Sequence, residues 1–318
     1  MTSGTPSPSP PLPMPVGRLD LLSYTLVTLG WGGSWYAITY QFGEVPTETS
    51  IAYRFILGAL FLLPLMLIAQ RRQKQKHALT LTDHLWMVTQ GVLVFGVSYR
   101  IFYLGVDVLT GGLVAVLFCL IIIINACNQN LFFKFPLERK VLFAAVLGIL
   151  GVALIFAQDL QSLRDNPETF QAILLVLLSI YFASLGNMIH LRNDRAGIPA
   201  LTATTYAMAY GGVLMLIYAY VKNGELSFDA TTSYILSMLY LSAVASSLTF
   251  TLYFGMIARI GAARGAYVSV LIPIVALTIS YFFEDFEWSI EAISGIALIL
   301  AGNLLILVKP SRQAKQAQ

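Results

Sequence analysis

Two arginines, Arg54 and Arg100, lie inside long apolar stretches of the chain, where charged side chains are rare. An arginine near the centre of a bilayer costs roughly 2.5–3.5 kcal/mol on insertion scales, so each guanidinium needs a partner. Because its planar fork fits a carboxylate or a phosphate, each arginine is a candidate for binding an anionic substrate group. The alternatives are a hydrogen-bonding role at the outer rim for Arg54 and snorkelling to the outer surface for Arg100.

Aromatic side chains lie in the same apolar stretches. Trp31 and Trp35 are four residues apart and therefore share one face of a helix. Trp31 falls near the middle of its segment, too deep for the interfacial aromatic belt, so it either packs within the bundle or lines a cavity. Four tyrosines that need a partner for their hydroxyl in apolar surroundings are further candidates for the cavity wall: Tyr99, Tyr103, Tyr253 and Tyr267. For Tyr103 the alternative is an interfacial anchor.

Amide side chains form a third group inside the apolar segments. Asn125, Asn128 and Gln129 lie within about one helical turn of each other, and Gln90 and Asn187 lie in two other segments. One interpretation is that they line a substrate cavity or form an inner gate. The other is hydrogen bonding between helices, worth about 0.6 kcal/mol for each bond.

The residue types needed for catalysis are missing from the interior of these segments. All sixteen acidic residues fall in loops or at segment ends, and the sequence has no Cys–His pair and no HExxH spacing. We therefore expect neither an enzyme nor a resident metal or cofactor. With no carboxylate at mid-membrane to titrate, we predict uniport or exchange of metabolites, with a proton relay through His84 or His190 as the alternative.

The elements that hold these residues are long apolar segments. Hydrophobic residues make up 57% of the 318 residues and charged residues 11%, where soluble domains carry roughly 25% charged residues. A spanning helix needs about 20 mostly apolar residues, and ten segments qualify: 19–41, 47–69, 83–104, 109–131, 139–157, 169–189, 199–221, 233–257, 261–283 and 288–308. The connections are short, so we predict an all-α membrane protein with ten transmembrane helices.

The distribution of basic residues predicts the orientation. With the N-terminus in the cytoplasm, fifteen of the 19 lysines and arginines fall on the cytoplasmic side, and only Arg164 and Lys222 fall outside. The remaining two are Arg54 and Arg100. We predict a multi-pass protein of the cytoplasmic (inner) membrane with both termini in the cytoplasm. Residues 1–18, which carry six prolines, are predicted to be a disordered tail, and 309–318 a second tail.

The two halves of the chain show a weak internal repeat. Identical residues coincide at offsets of 150 or 153 residues at these pairs: Tyr103/Tyr253, Gly111/Gly261, Gly33/Gly186, Pro46/Pro199 and Gly58/Gly211. Five helices in each half is an odd number, so repeats 19–157 and 169–308 are predicted to have inverted orientation, which is typical of secondary transporters. At offset 153 Arg54 is matched by Ala207. We therefore favour Arg54 as the substrate-binding arginine and Arg100 as a structural or gating residue.

Several motifs resemble those of a known family. In the second half they are Tyr240-Leu241-Ser242-Ala243, Ile260-Gly261-Ala262-Ala263, Pro273, Glu284 and Gly295; in the first half they are Trp31-Gly32-Gly33-Ser34-Trp35, Pro46, Arg54-Phe55 and Gly148-x-x-Gly151. Residues 19–308 thus resemble the ten-helix drug/metabolite transporter superfamily of the EamA type. The chain departs from the family pattern at Ile123 and Lys134, where a proline and a glutamate are common. If Pro273 bends the ninth helix, the fourth lacks that device.

The resemblance implies a secondary transporter that exports or exchanges small organic metabolites, amino-acid-like or otherwise amphipathic, by alternating access. Flipping of a lipid-linked substrate is an alternative that the superfamily permits, and a membrane receptor or scaffold is an alternative of another class. The expected partners are a small-molecule substrate and the lipid bilayer, without nucleic acid. The sequence leaves the substrate, the direction of transport, the coupling ion and the oligomeric state open.

Overall fold

The computed structural model describes residues 17–73, 78–137, 139–155, 167–260 and 268–308. Regular structure within these ranges is helical. We number ten helices in chain order: α1 Arg18–Thr39, α2 Thr47–Gln73, α3 Leu81–Val106, α4 Gly111–Phe133, α5 Arg139–Ile155, α6 Pro167–Arg195, α7 Ala200–Asn223, α8 in the three consecutive parts Thr232–Leu239, Tyr240–Leu248 and Thr249–Ile260, α9 Val268–Phe283 and α10 Ile290–Val308. Tyr267 and both predicted tails from residue 1 to 16 and from 309 to 318 lie outside the described residues.

The helices form a bundle suited to a bilayer. Six of them are long and apolar enough to cross a membrane, namely α2, α3, α4, α6, α7 and α8, and shorter apolar helices occupy Val270–Phe283 and Ile290–Leu305. Large apolar side chains cover the outside, among them Ile149 and Phe282, which are 68% and 69% exposed. A surface of this kind is solvated by lipid, because the backbone polar groups are already satisfied within the helices.

Helices α3 and α8 contain matching π-helical segments. The segment in α3 is Val92–Ser98 and the one in α8 is Tyr240–Leu248. π-Helical turns are rare and frequently mark functional sites. In α8 the Ala245 carbonyl in the π segment accepts a hydrogen bond from the indole of Trp31 at 2.9 Å. It also accepts one from the Thr249 hydroxyl at 2.6 Å.

Helix α4 is interrupted although it contains no proline. Its two parts, Gly111–Phe118 and Ile121–Phe133, are separated at Cys119 and Leu120. The amide of Cys119 donates to the carbonyl of Val116 at 3.1 Å and that of Leu120 to Leu117 at 3.0 Å. These bonds close three-residue turns, which tighten the helix without a proline. Pro273, by contrast, lies inside the continuous helix α9.

Glycines set the closest helix contacts. A Cβ on Gly151 of α5 would lie 2.5 Å from the carbonyl oxygen of Gly295 on α10. A Cβ on Gly211 of α7 would lie at the same distance from the carbonyl oxygen of Gly91 on α3. A Cβ on Gly148 would meet only side-chain methyls, Cδ2 of Leu120 at 2.8 Å and Cδ1 of Ile123 at 3.3 Å. Backbones can approach this closely only where the side chain is absent.

The helix contacts follow the repeat. Helix α2 packs against α7, and α5 packs against α10. Helix α1 packs against α9 and α8, just as α6 packs against α4 and α3, and α4 also packs against α9. Exchanging each helix of one half for its counterpart in the other leaves this set of contacts unchanged. The protein is therefore an all-α membrane protein built as two inverted five-helix repeats.

Candidate functional site

We call the end of the bundle where α1 begins and α2 ends the near face, and the opposite end the far face. Arg54 lies seven residues into α2 from its start at Thr47, which places it about 10 Å below the far face. Its guanidinium carbon lies 4.9 Å from the ring centre of Tyr99 on α3 and 5.4 Å from that of its neighbour Phe55. A cation over aromatic faces is stabilised by the ring quadrupoles.

The charge of Arg54 has no counter-ion among the described residues. The residue is 3% exposed, and within the described ranges neither its Nε nor its Nη1 has a hydrogen-bond partner. The hydroxyl of the nearby Tyr103, a residue that is 1% exposed, likewise has no hydrogen-bond partner in the described ranges. We expected a partner for Arg54, and the structure provides aromatic faces in place of a carboxylate. Burying a cation without a counter-ion is costly.

Six aromatic residues, Trp35, Phe55, Tyr99, Phe102, Tyr103 and Phe118, form what we call the aromatic cluster. The ring centres are 5.2 Å apart for Trp35 and Phe118, 5.5 Å for Trp35 and Phe102, and 5.9 Å for Tyr99 and Phe102. The cluster thus links α1, α2, α3 and α4. The indole Nε1 of Trp35 is buried and has no hydrogen-bond partner in the part of the chain that the structure describes. Together with Arg54 it directs unused N–H donors into an apolar environment, where a hydrogen-bond acceptor is favourable.

Arg100 has a different environment from Arg54. Its Nε lies 3.4 Å from a carboxylate oxygen of Glu48, which is 2% exposed at the start of α2. Glu48 also accepts a hydrogen bond from the Lys222 ammonium on α7. It takes another from the hydroxyl of Thr47 at 2.9 Å. Arg100 thus belongs to an ion cluster between α2, α3 and α7 near the far face, and this agrees with a structural or gating role.

Trp31 lies apart from the aromatic cluster and joins α1 to α8. Besides its hydrogen bond to α8, its ring makes edge contacts with Phe250 at 5.2 Å and Tyr253 at 5.1 Å. Tyr240, from the π segment of α8, donates a hydrogen bond to the carbonyl of Gly30 at 2.9 Å. These contacts place Trp31 and Tyr253 at the interface between α1 and α8.

Gln90 belongs to a polar network toward the near face. Its Oε1 accepts a hydrogen bond from Asn193 at 3.0 Å, and its Nε2 lies 3.3 Å from Nδ1 of His190. Arg192 donates to the Asp83 carboxylate and to the Asn193 side-chain oxygen, both at 3.1 Å. The network fastens α3 to α6.

The asparagines of α4 contact α6 in the part of the bundle toward the near face. Asn187 donates to the side-chain oxygen of Asn125 at 3.3 Å, and Asn128 donates to the Ser184 hydroxyl at 2.9 Å. Asn125 and Asn187 are half-buried, whereas Asn128 is 5% exposed. The three asparagines therefore hold two helices together at a level distant from Arg54.

Several contributing residues went unrecognised in the sequence. Phe102 and Phe118 connect the aromatic cluster but are ordinary apolar residues by pattern. On the far face, the Glu284 carboxylate accepts a hydrogen bond from the backbone N–H of Gly111 at 3.0 Å. The Ser280 hydroxyl likewise accepts one from the N–H of Gly112 at 2.7 Å. This caps the start of α4 with groups from the end of α9 and the residue that follows it.

A bundle of ten helices in two inverted halves, with polar groups held between them, defines a multi-pass membrane protein of the transporter type. The chain belongs to the EamA-like transporter family, whose profile matches it twice, over residues 20–157 and 170–308. The double match agrees with the repeat seen in the helix contacts.

Similar proteins are named as transporters, and the similarity extends over most of their length. The uncharacterized transporter YoaV of Bacillus subtilis is 22% identical over 290 residues, which cover 89% of this chain and 94% of that protein. The uncharacterized transporter YvbV of the same organism is 22% identical over 310 residues, covering 96% of each. A solved crystal structure superposes with a TM-score of 0.62 at 15% identity, covering 90% of this chain and 96% of that one. At that identity the superposition shows the fold alone.

Proposed function

We propose that the protein is a secondary transporter for small amphipathic organic molecules that carry a carboxylate, amino-acid-like molecules among them. It works by alternating access in a cytoplasmic membrane, with the near face toward the cytoplasm, and exports or exchanges its substrate. The observation that carries the proposal is the Arg54 guanidinium, buried over Tyr99 with two nitrogens unbonded among the described residues. Membership of a transporter family supports the general class.

The aromatic cluster suggests what the substrate looks like. A carboxylate offers about four acceptor positions on its two oxygens, which suit the free N–H groups of Arg54 and the indole N–H of Trp35. Tyr99, Phe102 and Phe118 would then contact an apolar or flat body through their ring faces. A neutral molecule without an acceptor would leave the guanidinium unpaired, so the site discriminates in favour of anions.

Two helix contacts, related by the repeat, are proposed to open in turn. Toward the far face α1 meets α9, where a Cβ on Gly32 would lie 2.6 Å from Val275 Cγ1 and the rings of Tyr36 and Phe283 are 5.4 Å apart. Toward the near face α4 meets α6 through the asparagine contacts. The first contact is apolar and the second is hydrogen-bonded, and breaking either would expose the interior to one side.

The test is a binding and transport measurement on the purified full chain. Thermal unfolding is recorded with a panel of amino acids and aromatic carboxylates, each beside its neutral amide. Because a bound ligand stabilises by RT ln(1 + [L]/Kd), at least one acid should raise the unfolding midpoint while its amide does not. The same acid should exchange across proteoliposomes loaded with it. Equal effects of acids and amides would refute the carboxylate assignment, and stabilisation without exchange would refute transport.

A further inference from the structure

A groove runs between α3 and α7 on the outside of the bundle. Its volume is about 310 Å³, at the lower end of the range of small-ligand pockets. It is lined by Val92, Gly96, Val97, Arg100, Ile101, Gly211, Leu214, Met215 and Tyr218. Apart from Arg100 and the tyrosine hydroxyl, these side chains are apolar, and the groove is separate from the aromatic cluster around Arg54.

The shape of the groove is that of a narrow channel along the helices. The α3 residues run from Val92 to Ile101, nine steps of about 1.5 Å, or about 13 Å along the axis. Val92 lies near the middle of α3 and Ile101 near the far face. Gly96 and Gly211 are buried, whereas Leu214 and Tyr218 are 41% and 47% exposed. The groove therefore opens away from the bundle, on the side that meets lipid.

The end of the groove at the far face is positively charged. Arg100 lies there, and Lys222 follows Tyr218 by one turn of α7. Both cations contact Glu48, so the three side chains together carry a net charge of +1. Within the described ranges the Nη1 of Arg100 has no hydrogen-bond partner.

We propose that this groove binds one anionic glycerophospholipid from the far-face leaflet. One acyl chain lies along Val92, Gly96, Val97 and Leu214, and the phosphate pairs with Arg100 and Lys222. Lysine and arginine side chains near a membrane surface attract anionic headgroups electrostatically. The length and apolar walls fit a single chain, and Lys222, in the last turn of α7, lies at the level of the headgroups.

The experiment is native mass spectrometry of the full chain purified in detergent with equal amounts of phosphatidylglycerol and phosphatidylcholine. The unmodified protein should retain one phosphatidylglycerol at collision energies that remove phosphatidylcholine. Leu214→Trp fills the groove and should lower this retention at least tenfold, or about 1.4 kcal/mol. Val213→Trp is the matched control, since Val213 is 47% exposed on the same helix but does not line the groove.

The headgroup is tested separately. Arg100→Gln should reduce the retention of phosphatidylglycerol to that of phosphatidylcholine, while Arg71→Gln, at the opposite end of the bundle, should not. If Arg100→Gln fails to fold because Glu48 loses a partner, Lys222→Gln replaces it, since the Lys222 side chain is 43% exposed. Equal retention of the two lipids by the unmodified protein, or full retention by Leu214→Trp, overturns the proposal. Neither result bears on the proposed transport function, because this experiment measures lipid binding and not transport.

Discussion

Replacing Arg54 by methionine should stabilise the ligand-free protein. The guanidinium is 3% exposed and has no carboxylate partner in the described part of the chain. Burying such an ion costs several kcal/mol, and aromatic contacts return roughly 2 kcal/mol. Methionine keeps the length of the side chain and removes the charge. We expect the free energy of unfolding to rise by about 1 kcal/mol or more, measured by chemical or thermal unfolding in detergent.

The same change should abolish the response to the carboxylate ligand. A hydrogen bond to a charged group contributes about 1.5–3 kcal/mol, so losing it should weaken binding by about 10- to 150-fold. Arg54→Lys keeps the charge and loses the planar fork, so it should weaken binding by less and leave the yield of folded protein normal. Both affinities are read from ligand titrations of the unfolding midpoint.

Arg100→Gln is the matched control at a similar depth. It removes a cation that does have a carboxylate partner, Glu48, so it should lower the free energy of unfolding by about 1–3 kcal/mol. The two arginines should thus respond with opposite sign. If Arg54→Met destabilises the protein as Arg100→Gln does, or leaves ligand binding unchanged, Arg54 is a structural residue and the substrate assignment is wrong.

Three further outcomes are expected. Trp35→Phe should weaken carboxylate binding and leave the unfolding midpoint unchanged. Trp31→Phe should lower the free energy of unfolding by about 0.5–1.5 kcal/mol, because it loses a hydrogen bond. The reverse pattern would make Trp31 the ligand-binding residue and Trp35 the structural one. Gly151→Ala should abolish folded protein on size-exclusion chromatography, because its Cβ would lie 2.5 Å from a backbone oxygen. Gly148→Ala would meet the side-chain methyls of Leu120 and Ile123, which can move, so this variant should still fold. A reporter active only in the cytoplasm should work when fused after Gln318, and silence there would contradict the predicted orientation.

Helix positions could be predicted from the sequence because apolar segments mark them. The predicted segment 47–69 became Thr47–Gln73 and 169–189 became Pro167–Arg195. The helices are longer because their polar ends continue past the apolar stretch, and in α6 the last turn carries Asn193 of the near-face network. The π segments could not be predicted, since Val92–Ser98 contains residues that are common in any membrane helix. The break at Cys119 has no proline to signal it.

Candidate residues were recognisable as polar groups in apolar segments, but their partners were not. Glu48 could reach inward to either arginine, and the rotation of α2 against α3 decides that it meets Arg100. Gln90 and Asn187 are amide residues in apolar segments, as expected for residues that line a cavity. In the structure both form hydrogen bonds to neighbouring helices. That Arg54 keeps two nitrogens without a hydrogen-bond partner in the described part of the chain becomes visible only when its neighbouring groups are in place.

The repeat supplies an independent argument about Arg54. Its counterpart in the second half is Ala207, which is fully buried. The carbonyl oxygen of Ala207 lies so close to Gly91 that a Cβ there would collide with it. At this level α3 and α7 pack through small residues and closely spaced backbones. The second half thus folds without a charged residue at the position that corresponds to Arg54. The shared architecture therefore does not need the guanidinium, and its desolvation opposes folding. Both observations support the proposed ligand role of Arg54.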